Sequence, residues 1–589
     1  MSESERRADL SRPIEELHPN ERLKFDSRFL RGTIEEGLLD PLTGAIRDPD
    51  TQLTKFFGIY QQDDRDLRDE RRRAKLEPRY QFMVRVRMPG GVCRPAQWLA
   101  LDALARDTAD STLRLTTRQT FQFHGVRKGN LKKHVRAIVA SGLDTLAACG
   151  DLNRNVISAA NPLHSAAHAA ASELARQIGT HLLPRTGAYR EIFLGEEPVA
   201  DGADEEPLYG RTYLPRKFKI AIAVPPHNDV DVFAHDLGFI SIVEDGRLSG
   251  YDVTVGGGMG MTHNAPATFP RVADIVGFCA PEDVLAIAEH TLGIQRDYGD
   301  RKDRAHARFK YTIEDRGLDW FRTELAQRTG KPLEAARPFR FESSSDAIGW
   351  HQGAGGLWHH TVFVENGRVK DLPERQLMSG LRAIAQQHRG LFALTTNQNV
   401  IIAGISGDAR PSIQETLRQH GLGDGAPLTG LRRHSMACVA LPTCALAMAE
   451  SERYLPSLVD KIDAILLDAG LYQERIGIRM SGCPNGCSRP YLAEIALVGK
   501  APGRYNLYLG ASASGDRMSA LYRENIGEQG ILEALRPLLQ RYAAERLAQE
   551  GFGDFAIRAG VVPPMLRSRE FQRPRSGVPE QAQWSPLTD

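Results

Sequence analysis

One phrase of eleven residues occurs twice in this chain, and it limits the folds available more than any other feature. LTTRQTFQFHG at 115–125 returns as LTTNQNVIIAG at 394–404, with five of eleven positions identical and an offset of 279. Upstream, MPGGV (88–92) has a looser echo in ENGRV (365–369). Downstream, DLNRN (151–155) falls opposite GLRRH (430–434) at the same offset. A period this long does not describe a solenoid of stacked repeats. It predicts duplication of a half-molecule, folded as two related lobes about a pseudo-twofold axis. The 589 residues alone suggest three or four domains at about 150 residues each. The duplication turns that into two halves, each with a small and a larger unit.

The local pattern fits. RYQFMVRVRM (79–88) alternates and reads as a strand closed by Pro89, Gly90 and Gly91. Residues 95–106 have helical periodicity, LRLTTRQTFQFHGV (113–126) reads as a second strand, and a helix follows at 130–142. This is the β-α-β-α order of a small α+β sandwich. Larger α/β regions follow. The Ala-rich stretch 165–183 reads as a helix, with strands at 217–225, 238–244 and 251–258. In the second half, 445–470 reads as a helix, with strands at 475–480 and 494–499. The charge-dense QQDDRDLRDERRRAKLEPR (61–79) reads as a solvated helix face, and the Pro-rich stretch 573–589 as a surface tail. Expected boundaries are an N-terminal extension wrapping the core (1–78), a first small domain (79–145), a first large domain (146–340), a second small domain (341–425), a second large domain (426–572) and the tail (573–589).

Net charge is +1, from 75 Lys+Arg against 74 Asp+Glu. That argues against a nucleic-acid scaffold, which carries a basic excess. No run of eighteen apolar residues or secretory h-region occurs, so the expected setting is a reducing cytoplasm with no membrane span. The seven cysteines are an odd, sparse set, unlike a disulfide framework. Four of them form two close pairs, Cys438-x5-Cys444 and Cys483-x3-Cys487. Two thiolate pairs suit a 4Fe–4S cluster or a tetrahedral zinc, or else are structural. The x5 spacing is long for a zinc knuckle. Gly482, Pro484 and Gly486 suit a tight loop that brings amides near sulfur. Cys93, Cys149 and Cys279 read as core residues.

Cations collect in the first half. Arg85 and Arg87 alternate on one strand; Arg114, Thr116, Arg118, Thr120, Gln122 and His124 alternate on the next; Arg154, Lys217 and Lys219 follow. Each alone reads as surface charge, but together they line a site for something strongly anionic. In the repeat Arg118 becomes Asn397, Thr120 becomes Asn399 and His124 becomes Ala403, while the paired cysteines lie only in the second half. One cofactor site, with anion-binding residues from one lobe and metal ligands from the other, accounts for both asymmetries. VGGGMGMTHN (255–264) lets backbone approach a large ligand closely but is not a dinucleotide fingerprint. Arg304 and Arg308 are spaced for one helix face, with Lys310 beyond.

LTTRQTFQFHG, DLNRN, LPRKFK, VGGGMGMTH, SMAC-x5-C and SGCPNGC, in that order, resemble the sirohaem- and 4Fe–4S-containing sulfite and nitrite reductases over residues 25–565. FLRGTIEEGL and FFGIYQQDDRD point to the assimilatory, NADPH-dependent sulfite branch. The resemblance implies an α+β fold of two ferredoxin-like half-domains and two larger α/β cofactor-binding domains. It implies a 4Fe–4S cluster on Cys438, Cys444, Cys483 and Cys487, with Cys487 bridging to the sirohaem iron. It places Arg85, Arg154, Lys217 and Lys219 around sulfite. Arg114, Thr116, Arg118, Gln122, His124, Gly257, Gly258, Arg304, Arg308, Lys310 and Asn485 then hold the sirohaem. The implied reaction is six-electron reduction of sulfite to sulfide, in sulfate assimilation and cysteine biosynthesis. Its electrons come from a diflavin (FAD/FMN) NADPH reductase subunit. Nitrite is the alternative substrate and ferredoxin the alternative donor; a zinc- or cluster-stabilised binding protein is the non-enzymatic reading. Ala511 in LGAS departs from the Gly usual in the family.

Overall fold

The computed structural model describes residues 12–196, 206–423, 428–565 and 568–572. The expected tail at 573–589 lies outside them. The chain divides into two compact units. The first comprises Met1–Gly258, Ala273–Leu428 and Leu441–Ala445; the second comprises Met259–Val272, Thr429–Ala440 and Leu446–Asp589.

The duplication is visible in the first unit as two antiparallel sheets of the same strand order. One runs Ile59–Asp63, Tyr80–Arg85, Phe121–Val126, Leu113–Leu115, Arg368–Val369. The other runs Gly349–Gln352, Trp358–Val362, Val400–Ile405, Leu391–Leu394, Val92–Cys93. The last strand of each belongs to the other repeat: Arg368 pairs with Arg114, and Val92 with Ala393. Each sheet is therefore closed by a strand borrowed from its duplicate, so neither edge is left unpaired there. Trp98, on the helix Pro95–Thr108, stacks on Phe392 at 4.7 Å and meets Phe121 edge-on at 5.4 Å, joining the two sheets in one core.

The repeated phrase is a hairpin rather than the single strand expected over 113–126. Thr116 N–H donates to Thr120 O at 3.0 Å and Gln119 N–H to Thr116 O at 3.1 Å; Thr395–Asn399 and Gln398–Thr395 repeat both bonds at 3.0 and 3.2 Å. Gln119 (φ +51°) and Gln398 (φ +69°) take the same left-handed conformation. A side chain costs something there, and both copies accept the cost to close the same turn.

The larger units repeat as well. In the first unit Ile157–Ser158, Ile220–Ala223 and Leu237–Glu244 run parallel, and Arg247–Val255 and Asp274–Cys279 complete the sheet antiparallel. In the second unit Ser435–Ala437, Ile478–Ser481 and Ile495–Ala501 run parallel, followed by antiparallel Arg504–Leu509 and Ala520–Ile526. The helix expected over 445–470 spans only Leu455–Asp468. Before it, Met448 and Ala449 donate their N–H groups to Gly482 O and Glu452 donates to Cys438 O. Those amides serve the cysteine loops instead of a helical ladder. The charged run at 61–79 likewise divides, into the end of the strand Ile59–Asp63 and an exposed helix Arg68–Arg73.

The N-terminal extension enters the first unit through a buried ion network. On the helix Pro19–Asp26, Glu21 bonds Lys24 at 2.6 Å and also accepts from Arg301, all three nearly inaccessible. Lys24 donates to Leu214 O at 2.7 Å, and Arg301 to Tyr213 O at 2.7 Å. Breaking a buried pair leaves an uncompensated charge and costs about 3–5 kcal/mol. Glu21→Ala is expected to lower the urea midpoint by an amount corresponding to about 3 kcal/mol or more; an unchanged midpoint would mean that the helix adds nothing to stability.

Candidate functional site: a cationic face and a cysteine loop

The register of the first small sheet builds the site. Arg85 stands opposite Gln122, Gln122 opposite Arg114, and Arg114 opposite Arg368. Residues directly opposite on antiparallel strands share a face, so three arginines and a glutamine form one row across four strands. His124 lies two residues along from Gln122 on the same face. With its amide oxygen turned toward Arg85, Gln122 accepts from Nε at 2.9 Å. Arg85 also donates to Cys149 Sγ at 2.8 Å. Arg114 is 2% exposed and His124 3%. Burial, then Arg368, Arg114 and Arg85, hold the His124 pKa far below its usual range, so the ring is neutral. Neither of its nitrogens has a hydrogen-bond partner.

A second group of cations stands on the first large sheet. Asn153 pairs in parallel with Phe218, and Arg154 N–H donates to Phe218 O at 2.9 Å. Side chains alternate along both segments, so Arg154, Lys217 and Lys219 share a face. Burial, then Lys217, Arg308 and Arg118, push the Lys219 ammonium well below its ordinary pKa. Arg216, half-buried beside Arg304, is pushed down to about 10, chiefly by burial. Tyr60 hydrogen-bonds Cys149 and Arg154, and burial raises its hydroxyl to about 12.

The remaining expected residues are placed as follows. Thr116 Oγ1 accepts from Arg118 N–H at 3.2 Å, and the Arg118 guanidinium donates to Asn155 O and to Ile220 O. Arg118 therefore sits in the hairpin turn and ties it to the large sheet. A Cβ on Gly257 would lie 2.3 Å from Phe233 O, and one on Gly258 2.9 Å from the Arg308 guanidinium. Lys310 donates to Gly258 O at 3.0 Å, and Arg308 to Asp236 at 3.1 Å. Arg304 is held by Asp151 at 2.8 Å, so its charge is compensated. Arg304 lies in a turn and Arg308 just before the helix Phe309–Arg316, so the shared helix face expected for them does not form. Sequence reasoning passed over Arg368, Arg216 and Tyr60, and read Cys149 as a core residue, which its burial bears out without showing its bond to Arg85.

In the second unit, Gly482 N–H donates to Cys438 Sγ at 3.3 Å, and Asn485 Nδ2 approaches Cys483 Sγ at 3.5 Å. Burial, then the neighbouring Cys487 and Cys438 thiols, raise Cys483 to about 12. Cys487 is exposed where Cys483 is buried. The segment Met259–Val272 packs here: Met261 N–H donates to Pro484 O at 3.0 Å, and a Cβ on Gly260 would lie 3.0 Å from Asn485 O. Cys444 belongs to the first unit. Among the described residues, no three His, Cys, Asp or Glu are grouped to hold one metal ion.

A buried cationic face with a neutral, unpartnered histidine fits a group rich in carboxylates, and the amide-flanked thiols fit an iron–sulfur cluster. The comparisons with known proteins agree. The ferredoxin-like half domain of nitrite and sulfite reductases matches twice, at 74–141 and 351–420. The nitrite and sulphite reductase 4Fe-4S domain matches at 174–333, the large unit without the paired cysteines. The chain belongs to the nitrite and sulfite reductase family. A Chromohalobacter salexigens protein named sulfite reductase (NADPH) hemoprotein beta-component is 59% identical over 95% of this chain and 98% of its own length. A Geobacillus kaustophilus protein of the same name is 57% identical over 94% of this chain and 97% of its own. The solved structure of Mycobacterium tuberculosis NirA shares the fold, with a TM-score of 0.75 and 23% identity over 95% of this chain and 99% of that one.

Lys219 supplies a pH signature. Its depressed pKa means that the positive charge is lost at a lower pH than for an ordinary lysine. Binding of sulfate, a dianion throughout, is expected to weaken as pH rises through that pKa, and Lys219→Arg to remove the dependence. Identical pH profiles for the two proteins in isothermal titration would show that Lys219 does not bear on anion binding.

Proposed function

We propose that this chain is the haemoprotein of an assimilatory sulfite reductase, binding sirohaem and a 4Fe–4S cluster and reducing sulfite to sulfide. The observation that carries the reading is the Arg85–Gln122–Arg114–Arg368 row, cationic in one copy of the fold only. The family relationship gives it chemical meaning. In this reading Arg114, Gln122 and Arg368 of the row, with His124, Arg118, Arg308 and Lys310, hold the sirohaem carboxylates, and Thr116, Gly257, Gly258, Arg304 and Asn485 shape the surround. Cys438, Cys444, Cys483 and Cys487 hold the cluster. Cys487 would be the thiolate nearest the haem iron, and its exposure supports that role.

The bound cofactors supply the electrons and an iron site for sulfur. The protein's own part is electrostatic and protonic. Arg85 and Arg154 neutralise sulfite through guanidinium groups oriented by Cys149, Gln122 and Tyr60. Lys217 and Lys219 add charge, and a lysine with a lowered pKa is a stronger acid than a free ammonium. It suits proton delivery to oxygens leaving as water. Nitrite fits the same cations, and sulfite is preferred here on the relatives' names.

Electrons come from a diflavin NADPH reductase subunit, with the assimilatory pathway to cysteine in the cytoplasm as the setting. Among the described residues no helix is long and apolar enough to cross a membrane. Lys217→Met or Lys219→Met is expected to lower sulfite turnover by roughly 100-fold with tetrapyrrole content retained; equal loss of both would make these lysines structural. Turnover should be sustained by NADPH with a diflavin reductase. Dependence on reduced ferredoxin alone would overturn the donor assignment.

A further inference from the structure

The charged run QQDDRDLR, read from sequence as a solvated face, does something more specific. Asp63 ends the strand Ile59–Asp63 and forms a two-pronged ion pair with Arg68, at 2.5 and 2.7 Å. Asp64 caps the next turn by accepting from Asp66 N–H at 3.1 Å. The turn so built presents Arg65. Its backbone N–H donates to Pro442 O at 3.2 Å, and its guanidinium donates to Cys444 O at 3.0 Å. One residue thus grips the short segment Leu441–Ala445 at two carbonyls, two residues apart.

That segment has no helix or strand of its own and lies in the first unit, although the residues before and after it lie in the second. A cysteine on such a loop is positioned only by what holds the loop. The same strand carries Tyr60, which bonds Arg154 and Cys149. One stretch of the extension therefore braces both the anion-binding arginines and the loop of Cys444.

We infer that Arg65 is a positioning residue for the cluster, fixing the Cys444 loop by bonds to its backbone. The inference rests on the reading of Cys444 as a cluster ligand. Partners that orient a ligand without touching the metal commonly contribute 10–100-fold to its affinity. Arg65→Met keeps the aliphatic stem and removes the donors; Arg65→Ala serves if the Met variant fails to fold. In the purified holoprotein, iron release to a chelator is expected to be roughly tenfold faster in the variant. The electron paramagnetic resonance signal of the reduced cluster should broaden, with an unchanged urea midpoint. Cys444→Ser is measured alongside. Wild-type iron retention in Cys444→Ser would overturn the ligand reading itself. Lost iron in Cys444→Ser with wild-type retention and signal in Arg65→Met would overturn the role of Arg65 alone.

Discussion

Three guanidinium groups in register across one sheet are the constraint on which the rest of this structure depends. Arg85, Arg114 and Arg368 share a face with Gln122 and neutral His124. Like charges removed from water cost several kcal/mol each unless an anion meets them. Elsewhere in the first unit carboxylates do so: Asp151 on Arg304, Asp236 on Arg308, Glu21 on Lys24 and Arg301. Along the row, Arg368 has Asp110 at 3.9 Å, while Arg85 is held by Gln122 and Cys149. In the proposed reading, this face meets a polyanionic cofactor.

The second copy shows what happens without that demand. The corresponding row reads Thr361, Ile401, Ala393, Val92. Ala393, Ile401 and Ala403 form an apolar cluster covered by Ala160 and Leu163. The hairpin positions matching Arg118 and Thr120 are Asn397 and Asn399, and both bond Asp346, at 2.9 and 2.8 Å. The backbone kept its turn, its left-handed glutamine and its borrowed strand, while the side chains turned inward. One copy became a cationic face and the other an apolar core.

Much of this was legible in the chain. The eleven-residue repeat pointed to the duplication because a hairpin needs the same residues wherever it recurs. Loss of Arg118 and His124 from the second copy marked which half carries the cationic row. Arg368 was not legible: it joins the row only because its strand crosses to the other repeat's sheet, and nothing local records that register. Arg216, Tyr60 and Cys149 matter through neighbours distant in sequence. The strand at 113–126 and the helix at 445–470 were overextended for one reason. Apolar alternation and helical periodicity do not report where backbone amides are diverted, to a turn in one case and to cysteine loops in the other.

The central claim is that a duplicated scaffold retains a single polyanion-binding face. Tetrapyrrole stoichiometry tests it most directly, by extraction and quantitation of sirohaem against protein from the purified chain. One sirohaem per chain is the predicted result, falling toward zero when Arg114 and Arg368 are both replaced by Leu. Two per chain, or one per chain unaffected by those replacements, would contradict the account.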